Sequence, residues 1–160
     1  MATALASFLR PFALYAAISA IAFMACFLGG EAWAKQAVLG TPLDVGLTEA
    51  LDAFERPVET SYFFAPFLGL GVWGAISHGR AKTRSILLVL ALGLTVLAYF
   101  YVEGFYWSQM AMKQERWTAA ALSVFFLPVA VGIPVVFGSL ALFALAVRFD
   151  PKHEPGVPLE

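Results

Sequence analysis

The charged residues of this chain fall into short clusters that leave four long stretches free of Asp, Glu, Lys and Arg. The longest, Trp117 to Val147, is 31 residues built mainly of Ala, Leu, Val, Phe, Gly and Pro, and it runs directly into Arg148. As a helix it measures about 46 Å, against a hydrocarbon core of about 30 Å. Pro11 to Gly30 and Thr60 to Gly79 are 20 residues each. Ser85 to Val102 continues into a cluster of Tyr99, Phe100, Tyr101, Phe105, Tyr106 and Trp107. The pattern predicts an all-α integral membrane protein in one domain, 1–149. Its four transmembrane helices lie at about 11–30, 60–79, 85–107 and 117–147, and 150–160 is a flexible cytoplasmic tail with three prolines. Short second and third connections make it an antiparallel up-down bundle.

Between the first two spans, Glu31 to Glu59 reads as a polar, acidic connection. Thr41-Pro42 has the form of a helix start, with Asp44 in the first turn, and Pro57 stops the pattern. Leu43, Leu47, Ala50, Leu51 and Phe54 recur at helical spacing. They predict a short amphipathic outer helix at about 42–56, with Leu43, Leu47, Leu51 and Phe54 buried against protein or lipid. Its polar face is acidic rather than Lys/Arg-rich, so packing on the protein's own helices is expected over binding to anionic lipid.

The first span also has features of a secretion signal: Arg10, an apolar run, and Ala32-Trp33-Ala34 as a cleavage-like site. The run exceeds an ordinary signal core in length, so a retained membrane helix is expected. Phe23-Met24-Ala25 is a poor lipidation context for Cys26, which reads as a small buried hydrophobe.

Composition agrees with the patterning: 61% of the 160 residues are hydrophobic, 13% are charged, and mean hydropathy is +0.79. Net charge is −1, which gives no field for nucleic acid. Basic residues collect at Arg10, Arg80, Lys82, Arg84, Arg148 and Lys152, so the positive-inside rule puts both termini in the cytoplasm and the acidic connection outside. The expected place is the cytoplasmic (inner) membrane of a bacterium. A single cysteine excludes an internal disulfide or a CxxC pair, and with it a four-helix thiol oxidoreductase. His78 and His153 lie outside the apolar cores, so neither a bis-histidine haem nor a metal site is expected, and no cofactor is assigned. Gly69-Leu70-Gly71-Val72-Trp73-Gly74 matches a dinucleotide fingerprint in form only, because it lies inside an apolar span. Its glycines read instead as small-xxx-small contacts, Ala65 with Gly69 and Gly71 with Ala75.

No family motif is legible. Candidate polar or interaction residues are Glu31 and Glu103 at the outer ends of spans one and three, with Tyr101, Tyr106 and Trp107 beside Glu103. Ser61–Pro66 and Ser123–Pro128 share an S-x-F-F-x-P pattern. Pro66, Pro128, Gly132 and Pro134 are accordingly candidate kink or crevice positions. The leading expectation is a non-catalytic accessory or interaction subunit of a larger membrane assembly, whose partners are membrane lipid and other membrane subunits or itself. The alternative is a small oligomeric carrier or channel for an ion, lipid or small molecule. A third reading is an enzyme at the lipid interface, using Glu31 or Glu103.

Overall fold

A computed structural model describes residues 2–152, with side chains from Leu9 onward. The protein is all-helical, with 88% of residues in helices and no strand among the described residues. Five helices follow one another: α1 (2–39), α2 (Leu43–Phe54), α3 (Pro57–Ser77), α4 (Thr83–Lys113) and α5 (Trp117–Phe149). α1 and α5 each contain one turn of π-helix, Ala25–Gly29 and Pro128–Gly132. Leu9–Leu39, Thr83–Lys113 and Trp117–Phe149 are long and apolar enough to cross a membrane. α3 has 21 residues, but Tyr62, Pro66, Trp73 and three glycines dilute its hydropathy. It is a packing helix: Phe63, Pro66, Phe67, Leu70, Gly71, Gly74, Ala75 and Ser77 are all buried.

Several boundaries differ from those read off the sequence. α1 starts at Ala2, so Pro11 lies inside a helix rather than at its first turn. Nor does α1 stop at Gly30. Gly29 and Gly30 both stay in the right-handed helical region, and the helix ends only at Gly40, whose φ of +72° lets its N–H reach the Gln36 carbonyl. The polar connection expected from Glu31 therefore begins some ten residues later. α4 likewise runs past Trp107 to Lys113.

α1 and α4 run parallel. Cys26 lies against the Ala98 carbonyl, Gly30 against Val102, and the Lys113 amino group donates to the Val38 carbonyl at 2.9 Å. α3 and α5 run the opposite way, with Tyr62 at Phe125, Pro66 at Gly132 and Gly69 at Val136. Helices approach closely where one of them carries a glycine. Gly71 and Gly74 sit on Tyr15 and Ser19, Gly93 on Leu70 and Ser139, and Gly132 on the ring of Pro66. Tyr15, Phe67, Leu70, Ile86, Leu90, Leu97, Tyr101 and Phe143 fill the fully buried core.

α2 folds back along the end of α1 and packs on it by a small-residue face beside the leucine stripe, while Phe54 is half-buried against Phe23 and Phe27. Gly46 and Ala50 are the buried positions, and an added Cβ at Gly46 would meet the Ala32 backbone at 3.3 Å. Leu43, Leu47 and Leu51 remain 50%, 42% and 46% exposed. The leucine stripe lies about a quarter-turn round the helix from the small-residue face, at 100° per residue. Backbone fit at Gly46, rather than side-chain hydrophobicity, selects the contact.

The charges form two bands. Arg80, Lys82, Arg84, Arg148 and Lys152 make a basic end, and the residues from Glu31 to Glu59 an acidic one. At the basic end the start of the expected tail is pinned. Lys82 N–H donates to the Asp150 carbonyl at 3.0 Å, Lys152 N–H to the Arg80 carbonyl at 3.1 Å, and Lys82 Nζ meets Asp150 Oδ1 at 2.6 Å. That amino group, with the Ser85 hydroxyl second, holds the Asp150 carboxyl below the ordinary aspartate range.

Gly132→Ala places a Cβ in the ring of Pro66, which has no rotamer to yield, and should lower stability by about 1–3 kcal/mol. Gly138→Ala, which has open space around it on the same helix, should be neutral or gain up to about 1 kcal/mol. Thermal unfolding of both in detergent checks this, and equal melting temperatures would contradict it.

A candidate functional site above the start of α3

Pro57 fixes where α3 begins. Proline is preorganised for the first helical position, and it pushes Arg56 before it into an extended conformation, φ −86° and ψ 97°. α1, α4 and α5 continue past that level, so space is left above the first turn of α3. The resulting cavity, about 250 Å³, has the aromatic rings of Phe27, Phe63 and Phe105 in its lining. Its polar residues are Glu31, Arg56, Glu59, Ser108 and Gln109.

The π-turn at Ala25–Gly29 takes up an extra residue and so rotates the rest of α1 relative to the segment before it. Beyond it, Lys35 Nζ bridges Glu31 Oε1 at 3.0 Å and Glu49 Oε2 at 2.9 Å, tying α1 to α2. The Lys35 and Glu31 side chains are only 13% and 16% exposed. Arg56 reaches Glu59 at 3.4 Å on the open rim. Ser108 donates to the Ala120 carbonyl at 3.1 Å, which commits its hydroxyl. Gln109 is different. It is 5% exposed, and its Oε1 is buried with no hydrogen-bond partner. A buried amide left in that state costs about 1–3 kcal/mol.

A larger groove of about 720 Å³ adjoins the cavity. It shares Glu59, Phe63, Ser108, Met112 and Val124 with it and opens past Tyr62, Trp117, Ala121 and Phe125. Tyr62 also borders a third space of about 310 Å³ between α3 and α5, lined by Pro66, Gly69, Pro128, Gly132 and Val136. Tyr62 is held in place by its hydroxyl, which donates to the Phe125 carbonyl at 2.9 Å, and by stacking on the Phe125 ring.

The sequence candidates divide between places. Glu31 enters the cavity, and Pro66, Pro128 and Gly132 line the α3–α5 crevice. Pro134 is exposed just beyond the π-turn. Glu103 lies in a separate groove with Trp33, Tyr99, Tyr106 and Trp107, so it is not brought together with Glu31. Its partner is the Trp107 indole N–H, at 3.4 Å, rather than a base. Lys35, Arg56 and Lys113 are engaged elsewhere. Tyr101 is a core residue whose hydroxyl donates to the Phe63 carbonyl at 3.2 Å. Tyr106 packs on Trp33. At the basic end, the Tyr15 hydroxyl meets His78 Nδ1 at 3.0 Å; His153 lies outside the described residues.

Sequence reasoning passed over Lys35, Arg56, Glu59, Ser108 and Gln109. A signal existed for Gln109. Leu94, Leu97, Tyr101, Phe105, Ser108 and Gln109 share the helical spacing of the buried face of α4, so the amide rides on an otherwise apolar stripe. Among the described residues, no three His, Cys, Asp or Glu side chains gather as metal ligands. In the cavity each carboxylate is paired to a cation, Glu31 to Lys35 and Glu59 to Arg56, and the Ser108 hydroxyl is committed to backbone. No family model, curated protein or solved structure matches this chain.

Lys35→Met should leave Glu31 and Glu49 without their shared cation, costing about 1–3 kcal/mol. It should also make Leu43–Phe54 the first segment cut by protease. Unchanged melting together with unchanged protease resistance would contradict the role of this bridge.

Proposed function

We propose that the protein is a four-span integral membrane protein of the bacterial cytoplasmic membrane that works as a non-catalytic accessory or interaction subunit. α3 is the fourth span in this reading. Its 21 residues reach about 30 Å, and charged residues flank it at Arg56, Glu59 and Arg80. The basic end, with both termini, is cytoplasmic and the acidic end is outside.

The observation that carries the subunit reading is the ridge of Leu43, Leu47 and Leu51. α2 is fixed to α1 by the Gly46–Ala32 contact and the Lys35 bridge, yet it presents these leucines uncovered. A rigid apolar ridge is ready to receive a helix of another membrane subunit without further ordering. The core beneath the cavity supports this over conduction through one chain, because Phe67, Leu70, Leu97 and Tyr101 are fully buried there. Against the third reading, an enzyme using Glu31 or Glu103, each acid is engaged, Glu31 by Lys35 and Glu103 by the Trp107 indole.

Purification in mild detergent tests the reading, with the double variant Leu47→Ser, Leu51→Ser beside the parent. The parent should carry a stoichiometric membrane partner, and the variant should lose it while melting at the parent's temperature. Recovery of the parent only as a homo-oligomer, or a variant that keeps the partner, would contradict the proposal.

A further inference from the structure

We infer that the cavity above α3 and the apolar track leading from it form a binding site for one phospholipid with a primary-ammonium head group. The inference rests on the four-span reading of α3 but not on the subunit reading. It starts from Gln109, a side chain 5% exposed that lines the cavity with its Oε1 unpartnered. A buried acceptor of that kind is satisfied by a donor the chain does not supply. The other polar atoms narrow the donor's chemistry. Glu31 and Glu59 add carboxylate oxygens, and in each of them one oxygen is engaged by a cation, Lys35 or Arg56. The inner cavity is therefore rich in acceptors and suits a group with several N–H donors and a positive charge. Arg56, 64% exposed at the rim, supplies the complementary cation for a phosphate.

The apolar part follows in the right direction. From the cavity, the groove passes Val124, Ala121 and Tyr62 and meets the crevice that Pro66 and Gly132 form between α3 and α5. Small residues, Ala121 and Gly69, leave room for a chain along the track, and the fixed ring of Tyr62 joins the two spaces. The polar cavity lies level with the charged residues that flank α3, where head groups sit, and the track runs toward the basic end along the sequence of α3 and α5. A head group in the cavity thus has its acyl chain on the membrane-facing surface.

The test uses full-length protein stripped of lipid in detergent, then titrated with phosphatidylethanolamine, phosphatidylcholine or phosphatidylglycerol. Native mass spectrometry reads stoichiometry and thermal unfolding reads stabilisation. The parent should hold one phosphatidylethanolamine per chain and melt higher with it than with either other lipid. Gln109→Met keeps the shape of the site without its amide. It should melt at or above the parent without lipid and bind phosphatidylethanolamine roughly tenfold more weakly, the scale of one hydrogen bond to a charged group. Ala121→Trp, on the exposed groove wall, should fold like the parent and lose the lipid. Equal retention of the three lipids by the parent, or parent-like phosphatidylethanolamine binding by Gln109→Met and Ala121→Trp, would overturn the assignment.

Discussion

Helices surrounded by lipid gain no hydrophobic free energy by touching one another, so their association depends on how closely their backbones can fit. In this protein the fit is made mostly by glycines. Gly71 and Gly74 let α3 lie on Tyr15 and Ser19 of α1, Gly93 lets α4 lie on Leu70 of α3 and Ser139 of α5, and Gly132 receives Pro66. α3 takes part in most of these contacts, and its start is fixed by Pro57. Where the helix starts decides what lies above it. The three longer helices continue past Pro57 toward the acidic end, and the polar cavity is the volume that α3 leaves unfilled there. One local backbone restriction thus connects the packing of the bundle to the chemistry of its candidate site.

The apolar runs were legible as helices because charge is excluded from them, and the helix at Leu43–Phe54 was legible from its spacing. Where those elements ended was less visible. Gly29-Gly30 followed by Glu31 has the composition of a helix terminus, yet both glycines remain helical and Glu31 is held by Lys35 one turn on. A pattern rule weighs glycine and charge as stop signals and cannot count a bridge to Glu49, which depends on α2 folding back. The same limit explains the face of α2. Its leucines carry the hydrophobic signal, but the contact is decided by how near the Ala32 backbone can come to Gly46. Tyr101 reads in sequence as one of the aromatic residues beside Glu103 and sits in the core, where the Phe63 carbonyl accepts the hydrogen bond of its hydroxyl.

The candidate site was legible only in part, for a related reason. Glu31 stood out as an acid at a helix end, whereas Gln109 is neutral and follows an aromatic cluster that drew attention to Glu103. The two acids then separated, one into the cavity and one onto a groove with Trp33 and Trp107. In the cavity Glu31 and Glu59 are each paired to a cation, and Gln109 Oε1 is left without a partner. The Lys35 bridge anchors α2, and α2 in turn supplies both the leucine ridge and, through Phe54 against Phe23 and Phe27, part of the aromatic packing below the cavity. A subunit contact at the ridge and an amphiphile in the cavity would therefore bear on neighbouring surfaces of one rigid unit.

The proposed four-span reading puts α3 across the membrane, with the acidic end on the outer side. Single-cysteine labelling tests that most directly. In a Cys26→Ala background, Asp52→Cys and Arg80→Cys put one thiol on the exposed face of α2 and one in the exposed turn after α3. In intact cells a membrane-impermeant maleimide should label the cysteine at 52, and it should reach the one at 80 only after the membrane is permeabilised. Labelling of both positions from the same side would mean that α3 does not cross, and would contradict the account.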